Sequence, residues 1–599
     1  MTALPASGPS EDLGVLPNWK LADLYSSPDS PELEADLQRV QAQAEAFRQR
    51  YETRVGALSG AALGAAIGEY ERIQELLGRI GSYAGLLYAG DMSDSKIGQF
   101  FQTVQERLNG IGTLVLFFTL EVNRISEEAL TPKLAVAELA RWRPWLRDLR
   151  AFRLHQLSDD LEKLLYEKHV SGRAAWSRLF DETLAGMRFE VGGRSLTTTE
   201  AFDLFSDPDP LRRAEAAASV KTGLNGAIRT LSLIHNTLAK DKEIEDRWRG
   251  YDAPISYRNL ANYVEDEVVE TMIGTVKAAY PAISHRYYRL KAKWLGLEKL
   301  NHWDRNAPLP GDDDRVIRWD EARGIVLDSY RRFSPRMAQI GERFFTEGWI
   351  DAAVRPGKAP GAFAHPTVPS AHPYILVNFM GKTRDVMTLA HELGHGVHQV
   401  LAGGQGLLLA DTPLTFAETA SVFGEMLTFR SLLAAETDPR RRRIMLARKV
   451  EDMISTVVRQ IAFCDFERRF HDERRRGELT PDRIGEIWLE IQRESLSDAF
   501  TIDDEYAPYW ASIPHFVHTP FYVYAYAFGD CLVNSLYAVY ERAEEGFAER
   551  YLAMLSAGGT LRHRELLAPF GLDAADPGFW ARGLGVLQGF IDQLEAMEA

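Results

Sequence analysis

The five residues His391-Glu392-Leu393-Gly394-His395 lie within a stretch whose apolar residues recur at helical spacing. Two histidines four residues apart point to the same side of a helix, so their imidazoles can bind one metal ion. Glu392 lies about 100° around the helix from His391, which puts its carboxylate beside the ion rather than on it. A carboxylate placed there can take a proton from a metal-bound water. The pattern therefore predicts a catalytic metal site on a helix.

The residues on either side of this motif predict a strand followed by a helix. Residues 374–379 are mostly apolar, β-branched or aromatic, and Gly381 ends this short predicted strand. Apolar residues then recur at helical spacing as far as Leu401, and Gly403 and Gly404 predict the end of the helix. The motif is therefore expected in the middle of a helix, behind a strand.

A catalytic zinc site needs a third protein ligand besides the two histidines. A longer form of the motif has a third histidine ten residues after the first, but Leu401 stands there. Cysteine is a common ligand in structural sites, but Cys464 and Cys531 are both remote from the motif. Glu418 is the best candidate, because it falls in the first turn of a second predicted helix. The alternative is a capping box between Thr415 and Glu418.

Two more residues near the motif are candidates for supporting roles. Glu425 lies two turns beyond Glu418, where it can accept a hydrogen bond from the second nitrogen of a ligating histidine. The alternative for Glu425 is a solvated helix carboxylate. His398 shares the helix face of His395 but lies one turn further, so we expect it to support or pack against the site rather than bind the ion.

Short motifs are spread in order over residues 348–526. They are Gly348-Trp-Ile-Asp351, Pro356-Gly-Lys358, Gly361-Ala-Phe363, His372-Pro-Tyr-Ile-Leu-Val-Asn-Phe379, Thr388-Leu-Ala-His-Glu-Leu-Gly-His395, Phe416-Ala-Glu-Thr-Ala420, Ile513-Pro-His515 and Phe521-Tyr-Val-Tyr-Ala-Tyr526. Together they resemble the motifs of the thimet oligopeptidase and oligoendopeptidase F family of zinc metallopeptidases, and they are far more specific than any one alone.

The resemblance implies a mainly α fold: a zincin-like (gluzincin) catalytic core with a small β-sheet, inside a large helical body that encloses a substrate channel. It also implies one Zn²⁺ per chain, held by His391, His395 and Glu418, with Glu392 as the general base on a zinc-bound water. The expected substrates are short peptides.

Family members use a cluster of histidine and tyrosine near the C-terminus to hold the substrate and the developing oxyanion. The resemblance places His515 and Tyr524 in catalytic roles, and His518, Tyr522 and Tyr526 among the substrate-binding residues. It leaves open which of the two histidines faces the scissile bond. The alternative for each tyrosine is core packing, with its hydroxyl bonded to a backbone group.

A glycine-containing segment, residues 357–363, is a candidate for substrate binding. It can form an edge strand to which a peptide adds by backbone hydrogen bonds, and Gly361 would then allow close approach. The alternative is a plain loop.

The composition excludes several classes of protein. A net charge of -16 over 599 residues argues against a nucleic-acid partner. The most apolar stretch, residues 111–120, is about half the length of a membrane span, and the first ten residues lack the pattern of a secretory signal. With two cysteines and no disulfide framework, we expect a cytoplasmic protein, monomeric or homodimeric, without membrane partners.

The expected organisation is a flexible N-terminal tail over residues 1–20, an N-terminal helical domain over 21–200, and a metallopeptidase catalytic domain over 201–599. The predicted function is zinc-dependent oligoendopeptidase. Two alternatives stay open: a metallo-carboxypeptidase or other exopeptidase using the same site, and a catalytically inactive peptide-binding protein.

Overall fold

The computed structural model describes residues 13–169, 171–311, 315–542 and 545–598. Most of the predicted tail, residues 1–12, lies outside the described residues. Residues 13–20 form neither helix nor strand. Within the described ranges, no helix has the length and apolar character that crossing a membrane requires.

Helices make up most of the described chain. Before residue 300 they are α1 (Pro31–Tyr51), α2 (Gly60–Gly90), α3 (Ser95–Arg124), α4 (Glu127–Leu134), α5 (Arg143–Leu149), α6 (Asp159–His169), α7 (Arg173–Gly186), α8 (Thr198–Asp203), α9 (Pro210–Arg249), α10 (Ser256–Ala261), α11 (Asp266–Ala279) and α12 (Ser284–Trp294). After residue 300 they are α13 (Trp319–Phe333), α14 (Pro335–Thr346), α15 (Thr383–Ala402), α16 (Leu407–Ala410), α17 (Leu414–Ala417), α18 (Thr419–Ala435), α19 (Pro439–Thr456), α20 (Val458–Arg474), α21 (Pro481–Leu496), α22 (His515–His518), α23 (Tyr524–Tyr540), α24 (Phe547–Ser556), α25 (His563–Leu567) and α26 (Pro577–Ala596). The mainly α fold class is confirmed.

The strands are short and form small sheets. They are β1 (Phe189–Val191), β2 (Arg194–Leu196), β3 (Leu300–Asn301), β4 (Ile350–Asp351), β5 (Phe363–His365), β6 (Tyr374–Leu376) and β7 (Phe500–Thr501). β1 pairs with β2 in an antiparallel hairpin, and β3 pairs with β7 in parallel. The third sheet has the order β4-β6-β5, with β6 parallel to β4 and antiparallel to β5.

The chain folds into two compact units, and each unit is built from three separate segments. Unit 1 comprises Met1–Arg153, Asp314–Ala435 and Ala543–Phe570. Unit 2 comprises Leu154–Asp313, Glu436–Arg542 and Gly571–Ala599. The predicted domain boundary at residue 200 stays a prediction.

In unit 1, the predicted helix around the motif is confirmed, and the strand predicted over residues 374–379 is confirmed as far as Leu376. The strand β6 is fully buried in the middle of its three-stranded sheet, and six residues separate it from α15. The Asp385 carboxylate accepts hydrogen bonds from the backbone N–H groups of Met380 and Lys382, which supports the start of α15. The apolar face of α15 is buried, and Gly403 forms the C-cap of this helix as the sequence predicts.

A buried ion pair anchors the same sheet. The Lys358 ammonium lies 2.8 Å from a carboxylate oxygen of Asp351, and both side chains are fully buried. Lys358 also donates to the backbone carbonyls of Asp351, Ala353 and Val377, so all of its hydrogen-bonding capacity is used. Asp351 belongs to the motif at residues 348–351 and Lys358 to the motif at residues 356–358, so this ion pair gives both motifs a structural role.

Candidate active site

The helix α15 in unit 1 presents both histidines of the motif on one side. The rings of His391 and His395 have centroids 4.9 Å apart and are inclined by 80°. Both side chains are about a quarter exposed, whereas the Glu392 side chain between them is buried. The four-residue spacing therefore produces the shared face that the sequence predicts.

Glu418 lies at a break between two helical segments rather than inside a continuous helix. α17 ends at Ala417 and α18 begins at Thr419, so the Glu418 side chain projects from the junction. One of its carboxylate oxygens, Oε2, lies 3.3 Å from Nε2 of His391 and 3.4 Å from Nε2 of His395. The alternative of a capping box is wrong, because Pro413 is the N-cap of α17 and no side chain caps it.

The three residues form a cluster whose ligand atoms all lie within 4.8 Å of one another. Two imidazole nitrogens and one carboxylate oxygen are the donor set of a catalytic zinc site, which leaves a position for water. The hydroxyl of Ser421 donates to the same Glu418 oxygen at 2.7 Å and thereby helps to orient it. The residues present fit a metal ion.

Two features that hold α18 close to α15 are not evident from the sequence. A side chain at Gly394 would place its Cβ 2.4 Å from the carbonyl oxygen of Ala420, so only glycine allows this approach. The Tyr330 hydroxyl donates to the carbonyl of Ala390 at 2.6 Å, and a Cβ at Gly424 would meet that hydroxyl at 2.2 Å. Gly394, a glycine inside a helical pattern, is the signal in the sequence from which this contact could be predicted.

The Glu425 carboxylate lies behind the site, as the sequence predicts. Its Oε2 is 3.3 Å from Nδ1 of His391, the ring nitrogen that faces away from Glu418. A carboxylate in this place fixes the tautomer and the orientation of a ligating imidazole. The alternative of a solvated carboxylate does not hold, because Glu425 is only about one-fifth exposed.

The charges in the site perturb one another. Burial alone would lower the pKa of His391, but the carboxylates of Glu418 and Glu425 outweigh it and raise that pKa to about 10. Burial works against ionisation of Glu418, but hydrogen bonds from the two histidines hold its pKa well below the usual range. Burial raises the pKa of Glu392.

His398 lies next to the cluster and lines a large cavity in unit 1. It is buried, its Nε2 lies 3.4 Å from the Thr412 hydroxyl oxygen, and burial lowers its pKa to about 4. The cavity measures about 700 Å³ and is also lined by His395, Trp349 and Asp411. A space of this size beside the cluster is of the order that encloses a small ligand.

The segment around Gly361 contains both of the structures that the sequence allowed, a loop and an edge strand. Gly361 lies in a loop with a φ of 79°, in the left-handed region that favours glycine, and its carbonyl accepts a hydrogen bond from Asn378. The strand begins only at Phe363, and β5 is an edge strand of its sheet. An edge strand presents unpaired backbone groups to which a peptide can add.

In unit 2, the structure brings together three of the predicted histidine and tyrosine residues. The ring of His515 lies 6.2 Å from that of Tyr522 and 5.9 Å from that of Tyr526, and its Nε2 is 3.4 Å from the Tyr526 hydroxyl. All three side chains are half-buried. Burial, and then the charge of Arg459, lower the pKa of His515.

The other two predicted members of this group have different partners. Tyr524 is fully buried and its hydroxyl accepts a hydrogen bond from the Asn262 amide at 2.8 Å. His518 is exposed and its Nε2 lies 2.8 Å from a carboxylate oxygen of Asp181. Their predicted roles stay predictions, but their partners set them apart from the group formed by His515.

An HExxH helix, a glutamate from a neighbouring helix and a small sheet, within a mainly helical chain, define a metallopeptidase. Residues 331–586 match the family model described as peptidase family M3, and residues 121–189 match the one described as oligopeptidase F. The oligopeptidase PepF of Bacillus subtilis is 25% identical over 88% of this chain and 80% of its own length. The group B oligopeptidase PepB of Streptococcus agalactiae is 27% identical over 81% of each chain.

Solved structures share the fold over nearly the full length. A putative peptidase from Chlamydophila abortus has a TM-score of 0.87 at 21% identity, and covers 97% of this chain and 98% of its own. The oligoendopeptidase-F of Enterococcus faecium has a TM-score of 0.70 at 20% identity, and covers 94% of this chain and 98% of its own.

The chain belongs to the oligoendopeptidase F branch of peptidase family M3, as its motifs predict. It is a metalloendopeptidase, an oligopeptidase that hydrolyses peptide bonds. Its substrates are peptides, and the family implies a metal cofactor.

Proposed function

We propose that the chain is a zinc-dependent oligoendopeptidase in which His391, His395 and Glu418 bind one zinc ion per chain and Glu392 is the general base. The main observation that supports this is the approach of both Nε2 atoms to within 3.4 Å of a single oxygen of Glu418. Glu425 supports the site by orienting His391, and His398 contributes to the wall of the adjoining cavity.

The proposed chemistry divides between the ion and the protein. Zinc held by these ligands would polarise the peptide carbonyl and lower the pKa of water at its open position. Glu392 takes one proton from the attacking water as the water oxygen bonds to the carbonyl carbon. It gives that proton to the leaving amine as the C–N bond breaks.

The proposed donors to the oxyanion come from the group around His515. The ring nitrogen of His515 and the hydroxyl of Tyr526 are suitable hydrogen-bond donors, and Tyr522 flanks them. Tyr526 is a stronger candidate than Tyr524, because the hydroxyl of Tyr524 is enclosed and already bonded to Asn262.

The proposed substrates are short peptides in an extended conformation. The edge strand β5 offers backbone hydrogen bonds to such a peptide, and the exposed Gly361 leaves space beside it. The enzyme is proposed to act in the cytoplasm as a monomer or homodimer, and its two buried free cysteines suit a reducing compartment.

Metal analysis combined with peptide cleavage tests this proposal. The purified enzyme should contain one zinc per chain, and alanine at His391, His395 or Glu418 should remove it. A fluorogenic peptide blocked at both ends should be cut internally by the holoenzyme, and a chelator should stop the cleavage until zinc is restored. An enzyme that leaves the blocked peptide intact but trims its unblocked form would be an exopeptidase and would overturn the assignment.

A further inference from the structure

Two arginines in unit 2, Arg305 and Arg459, have no counter-ion among the described residues. The Arg305 guanidinium donates to the side-chain oxygen of Gln492 at 3.3 Å and lies 5.9 Å from the ring centre of Phe500. The Arg459 guanidinium lies 5.2 Å from the ring centre of Phe463. Within the part of the chain that the structure describes, neither arginine forms an ion pair with a carboxylate. Half-buried arginines usually do have such a partner.

Both arginines line the same two cavities, which have Arg305, Asn306 and Arg459 in common. The larger cavity measures about 140 Å³, and its described lining contains no acidic side chain. The smaller measures about 30 Å³ and is also lined by Glu451. That carboxylate already accepts a hydrogen bond from Lys291 at 2.5 Å. The cavities therefore carry an excess of positive charge.

Three buried hydrogen-bond donors in these walls have no acceptor in the described part of the chain. They are Nε of Arg459, Nε1 of Trp488 and Nε2 of Gln492. The amide of Gln492 is oriented by its other atom, since Oε1 accepts from Arg305. Arg459 lines both cavities, Trp488 only the larger and Gln492 only the smaller. Buried polar groups are almost always paired, so the unpaired donors of Arg459 and Trp488 indicate a missing acceptor in the larger cavity.

The neighbouring groups respond to the same positive charge. Burial, and then Arg305, lower the pKa of the Arg459 guanidinium. Burial, and then Arg305, lower the pKa of His302 to about 3. Both lowered pKa values mean that a further positive charge is unfavourable here. A bound anion would raise them again.

We propose that Arg305 and Arg459, together with the unpaired donor of Trp488, make the larger cavity a binding pocket for a carboxylate of the peptide substrate. The guanidinium fork matches a carboxylate with two parallel hydrogen bonds. A volume of about 140 Å³ holds a carboxylate with a small side chain. The identity of the ligand rests on the proposed function, and the carboxylate is either the C-terminus or an acidic side chain.

The location of the larger cavity supports a peptide as the source. Its wall includes Ser512 and Ile513, which come directly before the segment that contains His515. Aromatic side chains, Phe202, Phe205 and Tyr506, supply the rest of the wall and suit the apolar part of a residue that carries the carboxylate.

Calorimetric titration of the zinc-loaded Glu392→Gln enzyme with uncleaved peptides tests the pocket. The probes are acetyl-tetraalanine, its C-terminal amide, and an amidated acetyl-peptide of the same length with one glutamate. A carboxylate peptide should bind about 10-fold or more tightly than the amide, and the peptide that shows this advantage identifies the source. Adding Arg459→Gln should abolish the advantage. Arg459→Lys, which keeps the charge but loses the fork, should retain part of it.

Arg229→Gln is the matched control, because Arg229 is an exposed arginine on α9 of the same unit. It should preserve the full advantage. The ligand-free Arg459→Gln protein should unfold at the same temperature as its parent or higher, since it loses a charge that is repelled by Arg305. Lost binding would then not reflect misfolding.

Four outcomes would overturn the pocket. The amide could bind as tightly as both carboxylate peptides, or Arg459→Gln could keep the advantage. Chloride alone, at constant ionic strength, could compete as strongly as the carboxylate peptide, which would make this a halide site. If none of the peptides bound at all, peptide binding and the proposed function would fail together with the pocket.

Discussion

The Glu425 carboxylate lies 3.3 Å from Nδ1 of His391, on the side of the ring opposite the oxygen of Glu418. A carboxylate at Nδ1 keeps the proton there and leaves Nε2 free to bind a metal ion. Three helical segments therefore determine the geometry of one imidazole: α15 carries it, the α17–α18 junction faces it and α18 orients it.

Glu425→Ala should weaken zinc binding by about 10–100-fold, because the His391 ring loses the partner that orients it. Glu425→Gln keeps an acceptor but no charge, so its zinc affinity should lie between those of Glu425→Ala and the wild type. Competition with a chromogenic chelator measures both constants. Affinity in the alanine variant equal to that of the wild type would show that Glu425 has no such role.

Glu392→Gln should lower kcat by about 10²–10⁴-fold, the usual contribution of a general base. Its zinc content and melting temperature should stay unchanged, because the side chain keeps its shape and is not a proposed ligand. Glu549→Gln is the matched control, since Glu549 is exposed on α24 of the same unit. Turnover of Glu392→Gln near the wild-type rate would refute the assignment.

Gly394→Ala should destabilise the protein by about 1–3 kcal/mol, the range seen when atoms are forced into a packed contact. The added Cβ would lie 2.4 Å from the carbonyl of Ala420, so α18 must shift and Glu418 would shift with it. Zinc affinity should therefore fall as well. Gly404→Ala, where nothing lies within 4 Å of the new Cβ, should change neither property. Chemical unfolding measures the stability of the two variants, and zinc titration measures their affinity for zinc.

Tyr526→Phe should lower kcat by about 10²–10³-fold if its hydroxyl donates to the oxyanion, with little change in stability. Tyr524→Phe should instead lower stability and leave kcat almost unchanged. It removes a buried hydrogen bond between the Tyr524 hydroxyl and Asn262 that is worth about 1 kcal/mol. Steady-state kinetics and thermal unfolding of both variants separate the two roles. The opposite pattern would return the catalytic role to Tyr524.

Stability should depend on the protonation of Glu467 in unit 2. This carboxyl is buried, and burial raises its pKa to about 8 despite a hydrogen bond from the Phe521 N–H and the charges of Arg258 and Lys242. The folded state then keeps a proton that the unfolded state releases near pH 4.5. The Glu467 contribution to stability should therefore fall as pH rises from about 4.5 to 8 and level off above that range.

Glu467→Gln should remove that dependence, because the amide stays neutral at every pH. The melting temperature of the variant relative to the wild type should rise steadily between pH 5 and 8. Thermal unfolding at several pH values in one buffer series measures the difference. A constant difference between the two proteins across this range would mean that Glu467 is ionised in the folded state throughout.

Much of the site could be predicted from the sequence because its central relationship is local. The four-residue spacing of His391 and His395 needs only a helix, and a helix is evident from the apolar spacing and from the glycines that end it. Glu418 was predicted as a ligand from the need for a third one, and the motifs around it indicated the family. The capping alternative for Glu418 could not be discarded, because residues 414–418 fit the start of a helix equally well.

By itself, the sequence determined the mainly helical class, the motif helix and the family, since these depend on periodicity and on short contiguous motifs. Tertiary structure alone decided which distant groups meet. The contact of Gly394 with Ala420, the hydrogen bond of Tyr330 to Ala390 and the cavities that Arg305 and Arg459 share all involve residues far apart in the chain. Packing of whole helices sets those distances, and no local pattern in the sequence records them.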